Sequence, residues 1–251
     1  MDIMQNLIVD MGNTLVKIAI FEGGYLVEEY SFEVLTVGNV EDILSRFPMV
    51  KRAIISSTRA RVGGVVELLK ARLEYCIEFT PEVAVPIECD YLTPQTLGRD
   101  RLAAAVGAVV LYPNRNVMIA DFGTAITIDL VNEHGCYKGG VISPGMLTRF
   151  RSLHDYTSSL PMCGASDEII LSGLTTKQAI EAGVMNGISF EIEGYICELS
   201  KKNNNLLIIF TGGDNKYFVK RIKNAIFANR NLIFCGLNRI LEYNAGEKYY
   251  Y

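Results

Sequence analysis

Leu7-Ile8-Val9-Asp10-Met11-Gly12-Asn13-Thr14 and Met118-Ile119-Ala120-Asp121-Phe122-Gly123-Thr124-Ala125 follow one pattern. Each is a short apolar strand closed by an aspartate, one apolar residue, a glycine and a hydroxyl or amide residue. After each turn an apolar pattern resumes, through Leu15, Ile18, Ile20 and Phe21 in the first copy and Ile126, Ile128 and Leu130 in the second. Both read as strand, tight polar turn, strand. A unit that recurs once in 251 residues indicates two similar domains rather than a solenoid.

The segments around these units alternate helix and strand. Gly23-Gly24 turns the first meander into a third strand, Tyr25 to Phe32. Arg52 to Ser56 reads as a buried strand and Val62 to Leu73 carries apolar residues at helical spacing, the alternation of an α/β layer fold. Gly98 to Leu111 is Ala-rich and helical in propensity until Pro113-Asn114 breaks it. That break divides the chain into expected domains 1–115 and 116–251. In the second half the reading continues with a Gly139-Gly140 turn, Pro144-Gly145, a long helix from Thr176 to Ser200 and a strand from Leu206 to Phe210. Helices from Asn215 to Ala225 and from Leu237 to Tyr243 complete it.

Bulk properties exclude several function classes. The formal net charge is −4 with both signs interspersed, so the clustered basic patch of a nucleic-acid-binding surface is missing. The apolar stretch Leu102 to Tyr112 is about half of what a membrane-spanning helix needs. The first residues lack the basic, apolar and small-residue regions of a secretion signal, and a cytoplasmic protein is expected. Six scattered cysteines without a Cys-x-x-Cys pair, and only two histidines, argue for reduced thiols and against a structural zinc site.

The chemistry-bearing residues lie at the turns. Polyphosphate is held by backbone N–H groups of Gly-rich turns, by hydroxyls and by lysine, while a carboxylate orients the accompanying metal. Asp10, Gly12, Asn13, Thr14 and Lys17 offer this set, although Asp-x-Gly-Asn is also an ordinary hairpin turn. A second such turn in the other domain would give a cleft that grips phosphates from both sides. Thr211-Gly212-Gly213, after a strand and before a helix, offers a third place for backbone to lie against a nucleotide.

The ordered set Asp10-x-Gly12-Asn13-Thr14-x-x-Lys17, Tyr91-x-x-Pro94, Gly98-x-Asp100-Arg101, Asp121-Phe122-Gly123-Thr124-Ala125, Gly139-Gly140, Pro144-Gly145, Thr176-x-x-Ala179-Ile180 and Thr211-Gly212-Gly213 resembles type III pantothenate kinases over nearly the whole chain. The resemblance implies two duplicated RNase H-like domains of the actin-like superfamily of acetate and sugar kinases, Hsp70 and actin. Each would carry a mixed sheet flanked by helices, with a nucleotide cleft between the domains. It further implies a homodimer that phosphorylates pantothenate with ATP, magnesium and a monovalent cation, K+ or NH4+. Asp10, Met11, Gly12, Asn13, Thr14, Leu15, Val16 and Lys17 would contact ATP together with Thr124, Gly212 and Gly213. Asp121 would ligate the monovalent cation and Asp10 the magnesium through water. Tyr91, Gly98, Arg99, Asp100, Arg101 and Thr176 would bind pantothenate.

Asp100 is the expected general base. A loose phosphoryl-transfer transition state mainly needs positioning, so a carboxylate of ordinary pKa suffices. A helix-start carboxylate favoured by the macrodipole is its structural alternative. Arg101 is suited to pairing with the pantothenate carboxylate as a planar fork, or to an ordinary surface ion pair. Arg99 departs from the alanine usual at this position in the family. Another actin-like sugar kinase, or a non-catalytic regulator on the same fold, remains as an alternative, with the acceptor set Tyr91, Asp100, Arg101 and Thr176 as the discriminator.

Overall fold

The computed structural model describes residues 4–12, 14–57, 64–222, 227–229 and 231–246. The chain forms two compact units, one of residues Met1–Pro113 together with Leu232–Tyr251, the other of Asn114–Asn231.

In the first unit, β1 (Gln5–Met11), β2 (Val16–Glu22) and β3 (Tyr25–Phe32) form an antiparallel meander. β4 (Val50–Ser57) then pairs parallel to β1, and β5 (Tyr75–Glu78) parallel to β4, giving the order β3-β2-β1-β4-β5. A parallel neighbour requires a crossover, supplied between β3 and β4 by α1 (Val37–Arg46) and between β4 and β5 by α2 (Val65–Arg72). The Thr36 side chain accepts from Asn39 N–H at 3.2 Å, and the Asn39 side chain reaches back to Thr36 N–H, so the start of α1 is reciprocally capped. Leu7, Val9 and Met11 of β1 meet Val40, Ile43, Val65 and Leu69 in one core. The short strand β6 (Glu88–Cys89), a 3-10 turn (Pro94–Thr96) and α3 (Arg99–Leu111) complete this stretch.

The second unit repeats the plan. β7 (Val117–Phe122), β8 (Ala125–Val131) and β9 (Cys136–Pro144) are the meander. α4 (Met146–Asp155) and α5 (Thr176–Lys202) precede β10 (Leu207–Thr211), which pairs parallel to β7. The four-residue helix α6 (Asn215–Phe218) leads to β11 (Phe227–Ala228), parallel to β10, so the strands run β9-β8-β7-β10-β11. Here the core is aromatic at its centre: Phe122 stacks on Phe218 at 5.0 Å between centroids and meets the edge of Phe210 at 4.9 Å.

Four expectations change. Gly139-Gly140 lies within β9 rather than at a turn; Gly139 has φ +95°, and the β8–β9 ladder shifts register opposite this stretch, as at a β-bulge. The expected helix from Asn215 is described only to Phe218, and residues 223–226 lie outside the described residues. Lys201 and Lys202 belong to α5, two residues beyond the helix end expected at Ser200. The last helix, α7 (Leu232–Asn244), packs on α3, β1 and β4. Residues from Leu232 therefore group with the first unit, whereas the sequence division ran the second domain to residue 251. What draws α7 there is a close-fitting helix pair: a Cβ on Gly107 of α3 would stand 2.1 Å from the Leu232 carbonyl oxygen. Asn6 of β1 also donates to Asn238 Oδ1 at 2.8 Å in the buried interior.

Candidate functional site

In the first unit the strand register puts Asp10 opposite Lys17 on β2 and beside Ser56 on β4. Gly12 N–H donates to the Leu15 carbonyl at 3.1 Å and closes the turn between β1 and β2. Met11 and Val16 are buried, so what they can offer a ligand is main chain; Thr14 and Leu15 are exposed. Asn13, assigned to the same turn from sequence, lies outside the described residues.

Burial pushes the Asp10 carboxyl up to about 6, against the Lys17 charge, which lowers it; the Asp100 charge raises it further. Asp100 is thus within electrostatic reach of Asp10, although 90 residues separate them in sequence. Because the folded-state pKa lies above the unfolded value of 3.8, the native state binds the extra proton between those two values. Stability therefore falls as pH rises from about 4 to about 6 and stays reduced above, by up to about 3 kcal/mol at 1.36 kcal/mol per pKa unit. The expected result is that Asp10→Asn melts several degrees higher than the parent at pH 7.5 and no higher at pH 4. Equal melting temperatures at pH 7.5 would show that the Asp10 charge carries no such cost.

Asp100 occupies the first turn of α3, where the helix N-terminus favours a negative charge. Its Oδ1 accepts from Arg101 N–H at 2.9 Å, and a Cβ on Gly98 would lie 2.6 Å from that same oxygen. A side chain at 98 would therefore have to displace the Asp100 carboxylate oxygen, whereas the φ of −54° is itself open to any residue. Arg101 is buried, its guanidinium 5.9 Å from the Tyr91 ring centroid, so two of the expected acceptor residues are in mutual contact. A surface ion pair does not describe it.

Arg99 turns back on its own loop. Its guanidinium donates to the Leu97 carbonyl at 3.1 and 2.6 Å and to Pro94 O at 2.7 Å, and it lies 5.5 Å from the Phe79 ring centroid. Desolvation lowers its pKa. The side chain absent from the usual family pattern thus binds the 3-10 turn.

In the second unit, Asp121 is to β7 what Asp10 is to β1, opposite Thr127 on β8 and beside Thr211 on β10. Gly123 N–H donates to Ala125 O at 3.1 Å, the counterpart of the Gly12–Leu15 bond. Gly212, at φ +86°, runs close against this turn: a Cβ there would stand 2.3 Å from Asp121 Oδ1 and 2.4 Å from Phe122 O. Only glycine satisfies both that conformation and that space. Asp214 N–H donates to Phe122 O at 3.0 Å, and burial raises the Asp214 pKa against the charge of Lys216. Gly213 has open space around its Cβ position.

Thr176 is the first residue of α5 and lines a largely apolar cavity of about 530 Å³ with Leu153, Leu160, Ala179, Ile180 and Val184. Two further residues support the Gly123-Thr124 turn. Gly145 N–H donates to Thr124 O at 3.0 Å and the Thr148 hydroxyl donates to the same oxygen at 2.8 Å. Pro144-Gly145 was a visible signal for the first; nothing marks Thr148.

No group of three or more His, Cys, Asp or Glu side chains among the described residues is arranged to hold a metal. At Gly212 the nearby oxygens of Asp121 and Phe122 are hard donors that suit a cation of low charge, and the Phe122 carbonyl keeps a second lone pair beside its bond from Asp214.

Two comparisons of solved structures establish the fold alone. A Baf family transcriptional activator from Campylobacter jejuni matches with TM-score 0.62 at 22% identity, over 96% of this chain and 100% of that one. An activator of 2-hydroxyisocaproyl-CoA dehydratase from Clostridium difficile, solved with ADPNP, matches with TM-score 0.53 at 14% identity, over 99% and 100%. The shared architecture is an α/β fold of two units, each with a mixed sheet and helices. In sequence, a type III pantothenate kinase of Phocaeicola vulgatus is 43% identical over 95% of this chain and 98% of its own length. One from Azobacteroides pseudotrichonymphae is 42% identical over 94% and 96%. The family model for type III pantothenate kinase matches residues 6–198. With both aspartate turns and the acceptor segment inside that match, the chain belongs to the type III pantothenate kinase family.

Proposed function

We propose that Asp100 is the general base of the reaction this chain catalyses, the ATP-dependent phosphorylation of pantothenate in coenzyme A biosynthesis. The observation that carries the proposal is the approach of Asp100 to Asp10: an acceptor-side carboxylate lies within electrostatic reach of the turn assigned to the donor phosphates. Asp100 takes the proton of the primary hydroxyl as the hydroxyl oxygen attacks the γ-phosphorus and the bond from that phosphorus to the β–γ bridging oxygen breaks, releasing ADP. The base works through position, because the transition state asks for late proton removal.

The remaining assignments follow from donor chemistry. Backbone N–H groups of the Asp10–Lys17 turn and of Gly123-Thr124, with the Thr14 and Thr124 hydroxyls and Lys17, hold the phosphates. Gly212 and Gly213 lie against the nucleoside. Asp10 would hold, through water, the magnesium that accompanies ATP, and the ion would supply neutralisation of the phosphate charge. Arg101, already stacked near Tyr91, pairs with the pantothenate carboxylate, and Gly98 and Arg99 shape the loop that carries Asp100. Thr176 is assigned to pantothenate, and the largely apolar cavity it lines suits the gem-dimethyl group.

The active form is read as a homodimer in the cytoplasm. Exposed Phe190 and Leu147 on α5 and α4, and Ile169, Leu171 and Leu174 before α5, are apolar area that a second copy would cover. No helix among the described residues is long and apolar enough to cross a membrane.

The purified protein is expected to form phosphopantothenate from ATP and pantothenate with magnesium, at least tenfold faster in potassium or ammonium than in sodium buffer. Equal rates in sodium would remove the cation role of Asp121. Folded protein that forms no product would overturn the activity itself.

A further inference from the structure

The start of α4 does more than continue the chain from β9. Thr124 O receives two donors from it, Gly145 N–H and the Thr148 hydroxyl. The approach is backbone on backbone: a Cβ at Gly145 would stand 2.1 Å from Gly123 O and 2.5 Å from Thr124 O. Such contact holds the Gly123-Thr124 turn only as firmly as the Pro144-Gly145 turn is itself held.

Arg149 holds it. Its Nε donates to the Pro144 carbonyl at 2.8 Å, its Nη2 to the Ser143 hydroxyl at 2.7 Å, and its own backbone N–H to Gly145 O at 3.0 Å. The same guanidinium is paired with Glu191 of α5, both side chains being more than three-quarters covered. One planar fork therefore joins the end of β9, the first turn of α4 and the body of α5, whose first residue is Thr176.

We infer that Thr148 and Arg149 are positioning residues for the ATP-phosphate turn: Thr148 fixes the Thr124 carbonyl, and Arg149, anchored by Glu191, fixes the Pro144-Gly145 turn that supplies the second donor. This rests on the assignment of Thr124 to the phosphates of ATP. Neither side chain need touch the nucleotide. Their effect is on the geometry in which the Thr124 hydroxyl and neighbouring N–H groups meet it.

Steady-state kinetics of Thr148→Val, Thr148→Ser and Arg149→Lys, with Thr124→Ala in parallel, test this in the full-length enzyme. Loss of one hydrogen bond to the turn in Thr148→Val should raise KM for ATP about five- to tenfold. KM for pantothenate should stay within about twofold, and Thr148→Ser, which keeps the hydroxyl, should restore the parent value. Arg149→Lys keeps charge for Glu191 but loses the fork, and should raise KM for ATP by at least as much as Thr148→Val. A fall in melting temperature with an unchanged KM for ATP in both variants would make these residues merely structural and overturn the inference. Should Arg149→Lys fail to fold, the Thr148 pair decides. If Thr124→Ala raises KM for ATP while Thr148→Val does not, the positioning role fails and the phosphate assignment stands. If Thr124→Ala leaves KM for ATP unchanged, the phosphate assignment fails and takes the inference with it.

Discussion

Asp100→Asn should lower kcat for pantothenate phosphorylation by about 10²- to 10⁴-fold, the range a positioned general base contributes. Asparagine keeps the size of the side chain and an oxygen to accept from Arg101 N–H, so the first turn of α3 is expected to survive. The melting temperature should therefore move by no more than a few degrees, and KM for ATP by a few-fold. A second signature separates loss of a base from general damage. The Asp100 charge is one of the causes that hold the Asp10 pKa high, so its removal should shift the Asp10 titration to lower pH. In the pH dependence of melting, the decline between about 4 and 6 should move downward in this variant while Asp10→Asn abolishes it. Near-normal turnover in Asp100→Asn would sink the base assignment, whatever the binding constants did. Severe loss of turnover with an unmoved Asp10 titration would leave Asp100 as base but separate it from the phosphate turn.

The parts of this site that are legible in sequence are those built by local rules. An aspartate at the end of a buried strand followed by glycine and a hydroxyl is recognisable because strand, turn and ligand groups lie within eight residues, and it occurs twice. The matching strand orders of the two units confirm the duplication that the Asp10 and Asp121 repeats announce. The first helix, α1, is harder to read: its reciprocal cap uses Asn39 where Glu or Gln is the usual signal. α4 begins directly after Pro144-Gly145, a pair that reads as a turn and hides the apolar residues Met146 and Phe150 behind it. The direction of Arg99 is set by the carbonyls of Pro94 and Leu97, and which backbone oxygens a loop leaves open has no sequence signature. The same holds for Thr148, whose partner is a carbonyl 24 residues away. Helical periodicity identifies α7 as a helix but says nothing of which unit it joins; that depends on shape, on two glycines facing each other from distant segments.

Those glycines carry the second large expectation. A Cβ at Gly236 would stand 1.8 Å from the Ala103 carbonyl oxygen and 2.9 Å from Gly107 N, and one at Gly107 would stand 2.1 Å from Leu232 O. The atoms in the way are helix backbone, which cannot rotate aside like a side chain. Gly236→Ala must therefore push α3 and α7 apart along their contact and loosen the packing of two helices whose residues Leu102, Val106, Leu237 and Ile240 are buried. Overpacking of a rigid core costs about 1–3 kcal/mol and more where backbone is the obstacle. The gain from alanine in a helix interior, about 1 kcal/mol, offsets part of it. A net loss of about 3 kcal/mol is expected, a melting temperature roughly 6–12 °C lower for a chain of this size. Gly194→Ala on α5 is the matched control, since nothing lies within 4 Å of its Cβ position, and there the propensity gain should raise the melting temperature. The sign reversal between two identical substitutions distinguishes close approach from any general effect of replacing glycine. Because α3 carries Asp100 at its start, Gly236→Ala should also reduce kcat at temperatures where the protein remains folded. Equal melting temperatures for Gly236→Ala and the parent would mean that the helices have room the close contact denies, and that α7 is held to the first unit by Asn6–Asn238 and the apolar residues alone.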